Sequence, residues 1–355
     1  MMKKKCLKYI CVKIISASVL MVLWHVNAFA QQKSNPCSNT LYNANKEYEE
    51  GRFSQCVEML KLCLKNLGRD ERFEAHRLLV LSYINLNDDK NANEEAANVL
   101  IQKPDYKEFP YVDPPELTKI LGKYDVSPLL EMGLKAGINF NSVNPLKNYS
   151  ISGSGAEFLP GTGYQAGFLV EYYLKKKISV NAELLYEGLN YTRTAANVSG
   201  WQQEFKERLN YFNIPITCRY YFYKWKDISV GAELGMQMQL FNATNSNITL
   251  TNPASGASLQ NTAEQNGQRN TSLFYALAGL SVKYKFGGGH LGANIRYAYG
   301  LNNVVNADKR YDDMDFILSN QYIDSDISFN PLYFSISYQF PLIYSVKAIK
   351  QSKNQ

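Results

Sequence analysis

Residues 208–241 read RLNYFNIPITCRYYFYKWKDISVGAELGMQMQLF. Hydrophobic and polar residues alternate along this segment on both sides of a short polar break, Lys224-Trp225-Lys226-Asp227. Alternation with a period of two is the pattern of a β-strand whose two faces meet different surroundings, and a break this short joins two strands as a hairpin. The segment therefore predicts two antiparallel strands that place their apolar side chains on one shared face.

The same alternation recurs along the chain in eight runs. The runs cover residues 133–142, 163–174, 178–191, 208–223, 228–241, 273–286, 290–300 and 331–341. Three gaps between runs are short turns, at 175–177, 224–227 and 287–289, whereas the other four are long and polar. Short turns on one rim and long loops on the other are typical of transmembrane β-barrels of an outer membrane. We therefore expect an eight-stranded antiparallel up-and-down transmembrane β-barrel over residues 131–342.

Counting in twos along each run separates an apolar face from a polar one. The apolar face includes Leu184, Leu234 and Ile295, and it has no charged residue through the middle of the runs. A barrel in water needs a polar outer surface, so this face predicts contact with lipid. The 26 tyrosines and 17 phenylalanines suit the aromatic girdles at the two edges of a lipid band.

The opposite face carries eight charged residues, four acidic and four basic. They are Lys135, Glu171, Glu183, Glu187, Arg219, Glu233, Lys283 and Arg296. Ions inside a narrow barrel must be paired to offset their desolvation, and equal numbers permit a paired network. Arg219 and Glu233 flank the turn at 224–227, so we expect them to pair first. Because side chains just fill an eight-stranded barrel, the sequence predicts a closed interior and not a permanent pore.

The segment before the barrel has the spacing of helices. Tyr48 and Tyr83 are separated by the same number of residues as Leu64 and Val99, and a glycine, Gly51, marks the first turn. This repeat resembles two tetratricopeptide-type (TPR-like) helical hairpins, although the second unit has Leu86 at the position of the turn glycine. Two such hairpins are too few to be stable alone, so the module needs reinforcement.

Two cysteines offer that reinforcement. Cys37 and Cys63 lie at similar distances before and after Gly51, which places them opposite each other across an antiparallel helix pair. We expect a disulfide between them, since an oxidising compartment permits it. Cys56 is seven residues from Cys63 on one helix, which is too far for a disulfide between them. The alternative is three buried free thiols.

Five segments follow from these patterns. Residues 1–30 combine a basic start, an apolar stretch and Ala28-Phe29-Ala30, which predicts a cleaved secretory signal peptide. The alternative, a membrane anchor helix, would need about 20 apolar residues and the stretch is shorter. We then expect a periplasmic TPR-like domain over 31–103, a proline-rich linker over 104–130, the barrel, and a periplasmic tail over 343–355.

Two strand segments resemble a known family. Tyr211-Phe212-Asn213-Ile214-Pro215-Ile216-Thr217, followed by Arg219-Tyr220-Tyr221-Phe222, is similar to the fourth-strand motif of the PorT-like outer-membrane β-barrel proteins of Bacteroidota. Arg296-Tyr297-Ala298-Tyr299-Gly300-Leu301-Asn302-Asn303 resembles their penultimate-strand motif. The resemblance covers about residues 130–341 and implies the eight-stranded fold and the outer membrane, but no activity. It makes Pro215 a family feature. Because proline removes a ladder hydrogen bond, we expect a bulge or a local break there.

The sequence offers little for catalysis or cofactor binding. After the predicted cleavage two histidines remain, His76 and His290, and neither suits a catalytic group near the outer rim. No nucleotide-binding fingerprint is present, and the net charge of +6 comes without a basic patch interleaved with aromatic residues, so we expect no cofactor and no nucleic-acid partner. A cluster of aspartates in the last long loop could bind Ca²⁺ or could be a solvated acidic loop. These are Asp312, Asp313, Asp315, Asp324 and Asp326.

These observations favour a non-enzymatic outer-membrane barrel. Its helical module, residues 36–126, would bind or anchor a periplasmic or outer-membrane protein partner, in envelope or secretion assembly. One alternative is a small-solute channel or uptake component. Another is a surface adhesin that uses the polar loops 242–270 and 301–330 as contact loops.

Overall fold

The computed structural model describes residues 36–104, 106, 113–149, 156–196, 199–263 and 265–349. The predicted signal peptide, and residues 350–355 of the predicted tail, lie outside these described residues. These described residues form two compact units: one lies within Ser127–Ser345, and the described residues before and after that range form the other. None of the helices in the described ranges is both long enough and apolar enough to cross a bilayer.

The first unit is helical. It contains α1 (Pro36–Glu49), α2 (Phe53–Cys63), α3 (Arg69–Asn85), α4 (Asp89–Gln102) and α5 (Pro115–Leu121). These helices share one apolar core in which Ala44, Leu60, Leu79 and Val99 are fully buried. A disulfide joins Cys37 at the start of α1 to Cys63 at the end of α2, with a Cα–Cα distance of 5.4 Å. It therefore ties the two ends of the first hairpin together.

The two hairpin turns are built alike despite their different residues. Gly51 has φ +78° and Asn87 has φ +57°, both in the left-handed region. At each turn this residue donates its N–H to the carbonyl three residues back, and the next residue donates to the carbonyl five residues before it. This is the hydrogen-bond pattern of a right-handed α-helix that ends at a residue in the left-handed conformation. Glycine favours that conformation and asparagine tolerates it. The second hairpin thus replaces the turn glycine with Asn87, one position after Leu86.

The second unit is a closed β-barrel, which confirms the predicted fold class. Its strands are β1 (Tyr124–Lys147), β2 (Glu157–Lys175), β3 (Ile178–Ala196), β4 (Gln202–Trp225), β5 (Ile228–Thr251), β6 (Ser258–Ala263), β7 (Ser272–Phe286), β8 (Gly289–Gly300) and β9 (Asp326–Ala348). All strands except β6 form an antiparallel ring of eight, closed between β9 and β1. β6 pairs with the end of β5 and lies outside the ring.

The two faces of the ring differ as the alternation predicts. Leu184, Leu234 and Ile336 are 53%, 67% and 66% exposed on the outer face. Charged and amide side chains on the same strands are buried inside, for example Glu183 and Glu233. The outer face is therefore an apolar band that suits lipid.

The strands extend beyond the predicted runs for a physical reason. In the β4–β5 ladder, Asn210 pairs with Ala243 and Tyr211 pairs with Phe241, so Asn242 is an extra residue in β5. An extra residue reverses which side chains point inward. Beyond it Ile248 and Leu250 are buried. The segment predicted as the start of a polar loop is thus a strand whose apolar side chains face the interior.

Two further boundaries differ from expectation. β1 begins at Tyr124, inside the segment predicted as a linker. At Pro215 the ladder with β5 continues without a shift, opposite Gln237. The ladder with β3 instead skips it, between the pairs Ala182↔Ile216 and Leu185↔Asn213. Pro215 therefore causes a local break on one side of β4 and no bulge.

Candidate functional site

Eight side chains of alternating charge form a continuous series across the interior, which we call the ionic chain. In order it comprises Glu131, Lys283, Glu171, Arg219, Glu233, Arg296, Glu183 and Lys135. The nitrogen and oxygen atoms of successive members lie 2.5–2.9 Å apart. Its members come from seven of the eight ring strands, all except β9. The ionic chain therefore links the barrel wall across its interior.

The centre of the ionic chain is Glu233. Arg219 lies directly opposite it in the β4–β5 ladder and donates two hydrogen bonds to its Oε2, at 2.8 and 3.0 Å. Arg296 reaches the same carboxylate from β8 and also donates to Glu183, at 2.6 and 2.8 Å. Each arginine thus holds two carboxylates, the arrangement that its planar fork of donors favours.

Gly279 makes room for this centre. A Cβ at that position would lie 2.9 Å from Cγ of Arg296 and 3.1 Å from Oε1 of Glu233. Any larger side chain would therefore displace the pair. The side chains of Glu233 and Arg296 are 1% and 3% exposed, so each ion depends on its partners and not on bulk water.

The structure corrects the predicted network at two positions. Glu187 is buried, but it accepts hydrogen bonds from the side-chain amides of Asn139, Asn213 and Gln239, at 2.7–3.1 Å, and forms no ion pair with a described base. Glu131, and not Glu187, is the fourth acidic member of the ionic chain. Alternation places a side chain inside or outside, but the height at which it meets a cation depends on strand tilt and register, which the sequence does not show.

The position of Glu131 inside the barrel is visible in the sequence, although it was not among the predicted interior charges. It has the same inward parity as Lys135, but it lies before the first alternating run. His290 lies beside this residue, with its Nδ1 2.7 Å from Glu131 Oε1 but without a completed hydrogen bond. The short-turn end of the interior therefore holds more titratable groups than the alternating runs indicated.

A second cluster closes the long-loop end. Arg269 is fully buried and donates to both oxygens of Glu207, at 2.8 and 2.9 Å, and to Asp324 at 2.8 Å. Tyr191 donates to Glu207 and Tyr322 donates to Asp324. Arg269 precedes β7 and Asp324 precedes β9, so this cluster fastens two long loops to the wall of the barrel.

Aromatic rings fill the space around this cluster. The rings of Phe205 and Tyr322 stack with centroids 4.6 Å apart, and Tyr191 packs against Phe329 at 5.6 Å. Phe316 packs against Tyr322 from a short helix, α6 (Met314–Asn320), in the last long loop. This loop therefore folds into the mouth of the barrel as an aromatic plug.

Three of the five aspartates in the last long loop have structural roles. Asp313 caps α6 by accepting a hydrogen bond from the N–H of Phe316, and Asp326 pairs with Arg310. Asp324 belongs to the Arg269 cluster. Among the described residues, no group of three or more His, Cys, Asp and Glu side chains is placed to hold a metal ion.

Comparison with known proteins identifies the family of this barrel. The sequence profile of the outer membrane protein β-barrel domain matches residues 127–306. The chain belongs to this family. In this outer-membrane β-barrel protein, helices α1 to α5 precede the matched residues in the sequence. No protein of curated function matches the sequence.

Several solved outer-membrane barrels are similar to this outer-membrane protein. OprG from Pseudomonas aeruginosa is 10% identical with a TM-score of 0.36, covering 60% of this chain and 97% of OprG. Outer membrane protein W of E. coli is 12% identical with a TM-score of 0.30, covering 61% and 98%. The protease OmpT of Escherichia coli is 10% identical with a TM-score of 0.30, covering 61% and 95%. Similarity at this level transfers neither substrate nor activity to the present chain.

Proposed function

We propose that this outer-membrane protein is a non-enzymatic anchor. The barrel fixes the chain in the membrane, and the helical unit faces the periplasm and binds a protein partner in envelope or secretion assembly. The filled interior carries this proposal. The ionic chain crosses the barrel near the short turns, and the Arg269 cluster and the aromatic plug occupy the long-loop end. A barrel whose interior is filled in this way is better suited to anchoring the chain in the membrane than to conducting solutes.

The helical unit supports the proposal through one difference between its two hairpins. Tyr42 on α1 and Arg77 on α3 are equivalent positions of the predicted repeat. On α3 the chain covers this face itself: Arg77 donates to Asp113 at 2.8 Å, and the ring of Tyr106 packs on Phe73 with centroids 5.1 Å apart. On α1 the equivalent Tyr42 is 75% exposed. We therefore assign the partner-binding face to α1, since exposed aromatic side chains are frequent anchors of protein interfaces.

In-cell photo-crosslinking tests this assignment. A photoreactive residue in place of Tyr42 is expected to capture one discrete protein, and the same residue at Glu94, an exposed position on α4, serves as the matched control. Tyr42→Ala should reduce recovery of that partner from native membranes without changing the amount of protein in the membrane. Equal recovery by Tyr42→Ala and the unaltered protein would contradict the assignment to α1.

We further infer that the protein belongs to the PorT-like branch of the family. The two motifs that resemble this branch supply interior groups: Arg219 and Arg296 join the ionic chain, and Asn213 binds Glu187. The same inference includes export with cleavage after Ala30. Sequencing of the mature N-terminus from outer-membrane fractions tests the cleavage site, and a chain that retains its first residues would contradict it.

A surface adhesin is the second candidate, because the long-loop end exposes apolar side chains. Leu259, Tyr311 and Leu318 are 57%, 52% and 69% exposed. Shortening the hairpin between β5 and β6, and separately replacing Leu318 by Ser, should lower binding to surfaces if these loops are contact loops. The channel alternative is tested by conductance of the purified protein in planar bilayers. A steady conductance would contradict the anchor.

A further inference from the structure

The short turns of the barrel form one continuous strip. Backbone hydrogen bonds connect neighbouring turns: Tyr221 donates its N–H to the carbonyl of Lys177 at 2.8 Å, and Lys285 donates to the carbonyl of Asp227 at 2.9 Å. The turn after β2 therefore lies beside the turn after β4, and that one lies beside the turn after β7. Side chains that are far apart in sequence are held together along this rim.

The strip is strongly basic. It contains Lys175, Lys176, Lys177, Lys224 and Lys226, which are all exposed, and we call these five residues the lysine strip. The two turns that carry them include a single acidic residue, Asp227. Lys226 has φ +48°, and its ammonium lies 5.0 Å from the centre of the Trp225 ring. One cation of the strip is therefore placed directly beside an aromatic ring.

The lysine strip lies at the edge of the apolar band. Leu174, Phe222 and Trp225 are 54%, 51% and 55% exposed, and each is adjacent in sequence to a lysine of the strip or two residues from one. Aromatic and aliphatic side chains at such an edge lie at the level where acyl chains meet headgroups. Lysine side chains there direct their ammonium groups into the headgroup layer. The strip thus presents cations at the height of lipid phosphates.

We propose that the lysine strip binds the phosphate groups of anionic phospholipids in the leaflet that contacts the short turns. Short turns face the periplasm in barrels of this kind, so this is the periplasmic leaflet. The ammonium groups bind the headgroup, while Leu174 and Phe222 contact the acyl chains. An acidic protein could use the cations but not this adjacent apolar band, and for that reason the observations favour a lipid. This proposed lipid site is independent of the partner-binding face proposed on the helical unit.

Native mass spectrometry of the full-length protein, released from nanodiscs, tests this site. The nanodiscs contain phosphatidylethanolamine with or without phosphatidylglycerol. The unaltered protein is expected to retain phosphatidylglycerol in preference to phosphatidylethanolamine. The double variant Lys175→Gln/Lys224→Gln should lower this preference, and adding Lys177→Gln and Lys226→Gln should lower it by about tenfold or more.

A matched control removes the same charge elsewhere. Lys206→Gln/Lys309→Gln changes two exposed lysines at the long-loop end and should leave lipid retention unchanged. Heat-dependent migration in detergent gels confirms that each variant is a folded barrel. The proposal is overturned if the strip variants and the control retain phosphatidylglycerol equally. It is also overturned if glycerol phosphate displaces the lipid completely, because the site would then bind free phosphate. A third contrary result is that the strip variants lose a bound acidic protein but retain their lipid.

Discussion

Replacing Glu233 by Gln removes the charge at the centre of the ionic chain while nearly preserving its shape. Glu233 accepts hydrogen bonds from two buried arginines, Arg219 and Arg296, and each of these retains one other carboxylate, on Glu171 and Glu183 respectively. Removing one partner from a buried ion pair costs about 3–5 kcal/mol. Because neither arginine loses all of its carboxylates, we expect a cost within this range and not twice as large.

Glu187→Gln is the matched control, since it changes the same residue type on the same inner face. Glu187 is held by side-chain amides and not by a base, so its substitution should cost only about 1–2 kcal/mol. Urea unfolding of both variants in detergent micelles, followed by tryptophan fluorescence and by heat-dependent gel migration, gives the free energies of unfolding. A Glu233→Gln cost equal to or below that of Glu187→Gln would refute the reasoning that ion pairs hold the interior.

Three further predictions concern the helical unit. Cys37→Ser/Cys63→Ser should lower its stability by about 3 kcal/mol, measured by hydrogen exchange, and an unchanged exchange rate in α1 would contradict this. Burial raises the pKa of the Glu95 carboxyl, but hydrogen bonds from His76 and Asn98 outweigh it and hold this pKa below its ordinary value. Its stabilising contribution is therefore complete above pH 4.5 and is lost as the pH falls below that value, so Glu95→Gln should show a smaller loss of protection on acidification than the unaltered protein. Asn87→Ala should destabilise the α3–α4 turn by about 1 kcal/mol and Asn87→Gly should not; equal effects would show that the positive φ is unimportant.

The sequence predicts the barrel because lipid imposes a strict rule on its outer face. Every second residue between Ile228 and Leu240 must be apolar, and that rule is visible without coordinates. The rule ends at Asn242. Beyond this bulge the apolar residues Ile248 and Leu250 point inward, so the alternation seen in the sequence changes phase and resembles a polar loop. A change of phase depends on the ladder with β4, which is not a property of the segment itself.

The interior was predictable as a set of residues but not as a set of pairs. Arg219 and Glu233 could be paired from sequence because a short turn fixes their register, and the structure places them opposite each other. The contact between Lys283 and Glu131 joins residues 152 positions apart, and no local pattern specifies it. The disulfide partners Cys37 and Cys63 are closer in sequence, and their antiparallel helices bring them together. Local geometry could therefore be inferred, whereas contacts across the barrel required the closed ring.

The ionic chain has a consequence for how the barrel assembles. Glu131 lies on the first strand and its partner Lys283 lies on the seventh strand in chain order, so this pair cannot form while the early hairpins insert alone. The ion pair of Lys135 likewise cannot form before Glu183, which lies two strands later in the chain, has been inserted. Until its partner strand is in place, each of these ions must remain hydrated or enter lipid without a partner, at a large free-energy cost. Inserted forms that lack β7 and β8 are therefore disfavoured, and insertion of the strands from β1 to β8 is expected to be cooperative.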